Sequence, residues 1–172
     1  LTHCETSTGI MNPIEKISKI IKEYNDKIIF IVDAISSIGG INLDVDRWNI
    51  DFCVGTAYKA VGAPPGLTIF SYKNRILEYL KKRTCNDENT CVDTMFLNLL
   101  RWNKVIKNRG YFSIPPTNMV YALYQTLTFV LMEGLEKRFE RHQKMADITR
   151  EGIKEAGLFI FPEKFLSNKY ES

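Results

Sequence analysis

The stretch 55-GTAYKAVGAPPG-66 sets a single lysine, Lys59, between two small flexible segments at the end of an apolar run. A loop lysine is ordinarily a solvated surface group, and the chain holds 23 Lys and Arg, so the neighbours of Lys59 must give it a meaning. The residues before it, 50-IDFCVGTA-57, read as a short buried strand running out into small side chains. After it, Pro64 and Pro65 make a rigid turn closed by Gly66, and 66-GLTIFS-71 resumes an apolar strand pattern. No acidic side chain adjoins the lysine in sequence. Loops at the ends of buried strands are where α/β proteins keep their chemistry, and desolvation in such a crevice turns a lysine amine into a nucleophile.

Working outward, 27-KIIFIVDA-34 is a nearly continuous apolar run ending in Asp33, the pattern of a parallel strand covered on both faces. Upstream, 12-NPIEKISKIIKEYN-25 predicts an amphipathic helix, with Asn12 as N-cap and Pro13 at the first helical position. Its apolar face would carry Ile14, Ile17, Ile20, Ile21 and Tyr24. Downstream come the small-residue turn 36-SSIGG-40, an irregular connection to Trp48, a strand over Asp51 to Val54, the lysine loop and the strand 66–71. Helices are expected over Lys73 to Arg83, Thr94 to Lys107, Asn118 to Met132 and Leu135 to Glu155, the last closed by Gly157. The fold class is α/β with a helical C-terminal half, without internal repeats.

Composition narrows the function classes. The chain's 172 residues allow one domain with a real core. A net charge of +3, with basic residues scattered and densest only at Lys81 to Arg83, gives no footprint for nucleic acid. The four cysteines form no CxxC pair and only His3 and His142 stand beside them, so no metal site is expected. They read as reduced thiols, with a Cys85–Cys91 bridge across the polar link 84-TCNDENTCVD-93 left open. No apolar run approaches the ~20 residues of a membrane span and no signal peptide is visible, which makes the cytoplasm the default compartment. The chain starts at Leu1 in what reads as the tail of a strand, and it stops shortly after the apolar burst 158-LFIFP-162. It is therefore expected to be the middle piece of a longer protein, with N-terminal and C-terminal parts absent.

Asp33 ends one core strand and Lys59 follows the next, so both reach one crevice above the sheet. Three readings of an acid and an amine in that place stand open from the residues alone. They form a plain ion pair; or Asp33 coordinates magnesium; or the pair serves pyridoxal phosphate. In the third reading the lysine forms a Schiff base and the carboxylate keeps the pyridine nitrogen protonated.

Four segments, 3-HCETSTGIMNPI-14, 31-IVDAISSIGGINLDVD-46, 57-AYKAVGAPPG-66 and 111-YFSIPPTNMVYAL-123, have the order and spacing found in one family. From His3 to about Pro162 the chain resembles the class V aminotransferases of pyridoxal phosphate fold type I. It is most similar to the alanine–glyoxylate and serine–pyruvate branch, with the 2-aminoethylphosphonate–pyruvate transaminases near by. The resemblance implies a mostly parallel seven-stranded large domain, of which residues 1–134 would carry the later strands. Residues 135–172 would be the linking helix and the start of the small C-terminal domain. It makes Lys59 the Schiff-base lysine and proton shuttle, and Asp33 the partner of the pyridine nitrogen of pyridoxal 5'-phosphate. It places Ser7 near the cofactor's phenolic oxygen. Tyr111 would reach the phosphate in the neighbouring subunit, which implies a homodimer with shared active sites.

The chain departs from that family at two places. Gln usually precedes the lysine, with Ser two before it, where this chain has Tyr58 and Ala57; Thr usually stands three after the tyrosine, where this chain has Ile114. Each loss removes a hydrogen bond to a charged group, worth roughly 1.5–3 kcal/mol. The Tyr58 hydroxyl is able to restore one of them and Ile114 is not, so either cofactor binding is weakened or the phosphate cup is built differently. The glycine-rich phosphate loop, the ring-stacking aromatic and the carboxylate-binding arginine of the family fall outside this sequence, so the piece alone is expected to be inactive. The expected activity of the whole is transfer of an amino group from alanine or serine to a 2-oxoacid, glyoxylate or pyruvate. The alternatives are the aminoethylphosphonate reaction and a catalytically silent dimerising fragment. A cysteine desulfurase would carry histidine where Tyr58 stands.

Overall fold

The computed structural model describes residues 1–86, 96–111 and 113–163, with the side chains of residues 84–86 left aside; the question of Cys85 and Cys91 lies outside it. Helix α1 spans Ile14–Tyr24 and strand β1 Ile31–Asp33; β2 (Phe52–Thr56) and β3 (Thr68–Tyr72) follow. Then come helices α2 (Asn74–Asn86), α3 (Leu99–Lys107), α4 (Thr117–Glu133) and α5 (Leu135–Glu155). The expected elements are present with ends shifted by a few residues; the expected helix start at Thr94 lies outside the described residues, and α3 begins at Leu99.

The sheet order is β1-β2-β3. β1 and β2 run parallel with Val32 opposite Cys53 and Asp33 opposite Val54, whereas β3 returns antiparallel with Thr56 opposite Thr68. The chain start lies along the free side of β1, where Thr2 forms a parallel bridge with Asp33. There the Asp33 amide donates to Leu1 at 2.9 Å and the His3 amide donates to Asp33 at 2.8 Å. Asp33 is thus fixed by two backbone bonds on the free edge of its strand, while the next residue, Ala34, donates to the Val54 carbonyl at 2.8 Å on the other edge.

One face of this sheet is a sealed core. Ile14, Phe30, Val32, Ala34, Ile50 and Cys53 are buried together, flanked by Ile17, Ile21 and Trp48. The opposite face is partly open: Ile31 is 51% exposed, and Phe52, Phe70 and Tyr72 form a stacked row with centroids 6.0 and 6.2 Å apart. The expectation of cover on both faces of β1 therefore holds for one face among the described residues. The α1 stripe is also narrower than its periodicity predicts, because Ile20 and Tyr24 point to solvent at 65% and 84% exposure. The buried polar member of that helix is Ser18, whose hydroxyl donates to the Trp48 carbonyl.

The cap of α1 differs from the expected one as well. Pro13 is the N-cap and no side chain caps the helix. Asn12 instead spends its amide on the Thr2 carbonyl at 2.8 Å, tying the helix entry to the chain start. At the sheet's other end Asp51, 1% exposed, accepts from the Phe30 amide at 2.8 Å and from Lys22 at 3.1 Å, and pairs with Arg75 at 3.2 Å. A buried carboxylate is tolerable only when so partnered, and this one joins α1, α2 and the residues that lead into β1 and β2. Between α4 and α5, Gly134 takes φ +82°, a left-handed conformation that ends one helix before the next begins at Leu135.

Candidate active site

β2 runs out at Thr56 into buried Ala57, exposed Tyr58 and half-buried Lys59. The excursion closes on itself: the Ala63 amide donates to the Ala57 carbonyl at 2.8 Å, and the Ala57 amide to Leu67 at 3.3 Å. Gly66, at φ +130°, makes the turn into β3 in a conformation that side chains rarely adopt, and a Cβ there would stand 3.3 Å from Met119. The rigid turn read from the two prolines thus aims Lys59 back over the ends of the parallel strands.

The lysine meets hydroxyls there. Its Nζ donates to Ser36 Oγ at 2.8 Å and to Thr6 Oγ1 at 3.4 Å, and these two oxygens are 2.5 Å from each other. Ser36 stands in the turn after β1 and Thr6 in the loop after the chain start, so three segments converge on one amine. Asp33, at the end of β1, turns one carboxylate oxygen to the Ile35 amide at 2.9 Å; its other oxygen bonds to no described residue. No ion pair joins Asp33 to Lys59 among the described residues, which removes the plain ion-pair reading. Nor does any group of three or more His, Cys, Asp or Glu side chains stand together among them.

The electrostatics of neighbouring groups register this charge. Burial pushes the Cys53 thiol up to about 11, and the negative charge of Asp33 adds to the rise, leaving Cys53 a structural thiol. Glu5 is held below the usual carboxylate range, first by the Ser7 backbone amide and then by the Ser7 hydroxyl, with a smaller pull from Lys59.

The amide and hydroxyl of Ser7 hold Glu5 at 3.0 and 2.8 Å, and the hydroxyl that meets the lysine belongs to Thr6. Of the sequence-derived site residues, the fold brings Lys59 and Asp33 to the same strand ends. Tyr58, 49% exposed, and Tyr111, 78% exposed in the segment before α4, make no hydrogen bond among the described residues. Ile114 is 89% exposed. Thr6 and Ser36 are the additions, and both lie in hydroxyl-rich runs, 6-TST-8 and 36-SS-37, where only the backbone decides which oxygen faces inward.

Comparison with known proteins bears on this arrangement. Residues 1–166 match the aminotransferase class-V family. The chain belongs to that family. It is 34% identical over 159 residues to alanine–glyoxylate aminotransferase 1 of Saccharomyces cerevisiae, covering 89% of this chain and 40% of the yeast protein. It is 33% identical over 171 residues to the 2-aminoethylphosphonate–pyruvate transaminase of Vibrio cholerae, covering 97% and 44% of the two chains. The crystal structure of an alanine–glyoxylate aminotransferase from Nostoc superposes with a TM-score of 0.81 at 30% identity, covering 91% of this chain and 40% of that one. The class-V chain thus spans about two fifths of the relatives it matches, and its α/β architecture is that part of the pyridoxal phosphate fold type I.

Proposed function

We propose that the full-length protein is a pyridoxal 5'-phosphate-dependent aminotransferase in which Lys59 holds the cofactor covalently. The observation that carries the reading is the amine of Lys59, supported by Ser36 and Thr6, at the same strand ends as a carboxylate with an unpartnered oxygen. The donor set fits the group: an amine for its aldehyde, a carboxylate for its ring nitrogen and two hydroxyls for its oxygens. When bound, pyridoxal phosphate supplies an electron sink for the Cα–H bond of an amino acid.

The chain's own residues then divide the work. Asp33, anchored by its two backbone bonds to the chain start, would set its carboxylate beside the ring nitrogen and favour its protonated form. Ser36 and Thr6 hold Lys59 through neutral oxygens, which release the amine at a lower cost than a carboxylate would. Lys59, once its amine is free, would be the base that takes up and returns the proton at the substrate Cα. Tyr58 and Ser7 remain in this proposal as cofactor contacts, and Tyr111, presented on the segment stiffened by Pro115 and Pro116, as the contact to a partner subunit's phosphate. Its exposure suits a homodimer with shared sites, with residues 1–134 in the large domain and 135–172 leading into the small one. No helix among the described residues is long and apolar enough to cross a membrane, and a cytoplasmic enzyme accords with that.

Alanine as donor and glyoxylate as acceptor is the reading the yeast relative favours, with serine and pyruvate as the further pair the motifs suggest; the Vibrio relative favours 2-aminoethylphosphonate with pyruvate. A transamination screen of the full-length protein with both donor sets distinguishes them. Turnover of alanine with glyoxylate, well above that of the phosphonate, is expected; turnover of the phosphonate alone would transfer the assignment, and turnover of neither set would remove it.

A further inference from the structure

The lysine loop is fastened from outside the sheet. Arg138, in the first turns of α5 and 11% exposed, donates through Nε to the Gly39 carbonyl at 2.7 Å. Its Nη2 donates to the carbonyls of Ala60 and Val61 at 2.5 and 3.5 Å, the two residues immediately after Lys59. Its Nη1 meets Glu133 at 2.9 Å across the Gly134 break. One guanidinium therefore grips the turn that carries Ser36 and the segment that carries Lys59, the two pieces whose side chains meet at 2.8 Å. The surroundings leave it little room to slip. A Cβ on Gly39 would lie 3.1 Å from the Val61 side chain, and one on Gly40 3.0 Å from the Ala60 side chain, so the glycine turn packs closely on these two residues where the arginine spans them.

We propose that Arg138 is a positioning residue, which locks the Lys59 segment to the Ser36 turn and so fixes where the lysine amine stands. The planar fork of arginine suits the three-carbonyl grip, since its rigid donors face both segments at once, whereas a lysine amine is a compact point charge without that fork. Glu133 supplies the counter-charge and is shared with Arg141, whose Nε and Nη2 lie 2.5 and 3.0 Å from it. Arg141 makes no described contact with either loop, which makes it the natural control. Sequence alone does not single out Arg138 among the basic residues of α5, because its partners are main-chain oxygens about 80 and 100 residues away.

The inference rests on the reading of Lys59 as the cofactor lysine for its functional half, and the test separates the two. In the full-length protein, Arg138→Met, Arg138→Lys and Arg141→Met are compared by pyridoxal 5'-phosphate titration and by amide hydrogen exchange at Ala63, whose bond to Ala57 closes the lysine loop. The expected result is cofactor affinity weakened by at least about tenfold in Arg138→Met, an intermediate loss in Arg138→Lys and a change within about twofold in Arg141→Met. Exchange at Ala63 should quicken in the same order, in the apo protein as well. If the native protein takes up no cofactor, the reading of Lys59 fails while the exchange series still decides the clamp. Equal effects of Arg138→Met and Arg141→Met on Ala63 exchange would overturn it.

Discussion

The first 77 residues and the helices beyond them are built in opposite ways. Eleven of the buried apolar residues, from Ile14 to Leu77, lie in the first part, and beyond it among the described residues only Val130 joins them. Yet α4 is the more apolar element: Tyr121, Tyr124, Phe129, Leu131 and Met132 are all at least 60% exposed on it. Hydrophobicity thus says that a surface is destined for burial, while packing shows where burial occurs within this chain. The candidate site sits wholly on the part that packs, since Thr6, Asp33, Ser36 and Lys59 all lie at strand ends or in the loops beside them.

The sharpest break of that contrast comes from the site. Asp33→Asn leaves the backbone bonds to Leu1 and His3 intact but removes the charge, so turnover of the full-length enzyme should fall by several orders of magnitude with the lysine linkage to the cofactor still forming. Tyr111→Phe, on the open part, should only loosen the cofactor, by about tenfold. Steady-state kinetics of the two variants against cofactor titrations reverses the account if the tyrosine variant proves the more damaging.

Stability should show the same division. Ile50→Ala, at a site with 0% exposure, should cost about 2–5 kcal/mol, whereas Leu131→Ala, 75% exposed, should stay within about 0.5 kcal/mol in this chain. Denaturant unfolding of the two variants measures the difference, and equal costs would mean that α4 is packed as firmly as the sheet. Gly66→Val forces a branched side chain into φ +130° against Met119 and should cost of the order of 1–3 kcal/mol. Cofactor affinity should suffer more than melting temperature there, because the strain falls on the loop that aims Lys59; a loss confined to melting temperature would make the turn purely structural.

The smallest effect is expected at the join of the two parts. Glu133 is pulled down to about 2, first by Arg141 and then by Arg138, from an ordinary 4.5. A carboxyl lowered by folding stabilises fully above its unfolded value and loses that contribution as pH falls through its folded one. The native protein should therefore lose stability between about pH 4.5 and pH 2 in a step that Glu133→Gln lacks, and parallel pH–stability curves for the two would contradict the pairing.

Much of the fold was legible because its signals are local. The apolar run ending in Asp33, the Pro-Pro-Gly turn and the helical spacing after Lys73 each depend on neighbouring residues alone. What escaped depends on distant backbone. Asn12 has the chemistry of a helix cap, but the Thr2 carbonyl claims its amide. Ser7 and Thr6 are chemically alike, and only the Glu5 turn decides that Ser7 faces the carboxylate while Thr6 faces the lysine. The openness of one face of β1 was equally hidden, since an apolar run records that a strand is to be covered without recording by what.

The central claim is that Lys59 is the amine that carries the cofactor. Titration of pyridoxal 5'-phosphate into the full-length protein, followed by absorbance, tests it most directly. The native protein should develop a band near the visible edge, borohydride should fix the cofactor to the peptide containing Lys59, and Lys59→Ala should show neither. A band of undiminished strength in Lys59→Ala, or label recovered on another lysine, would contradict the account.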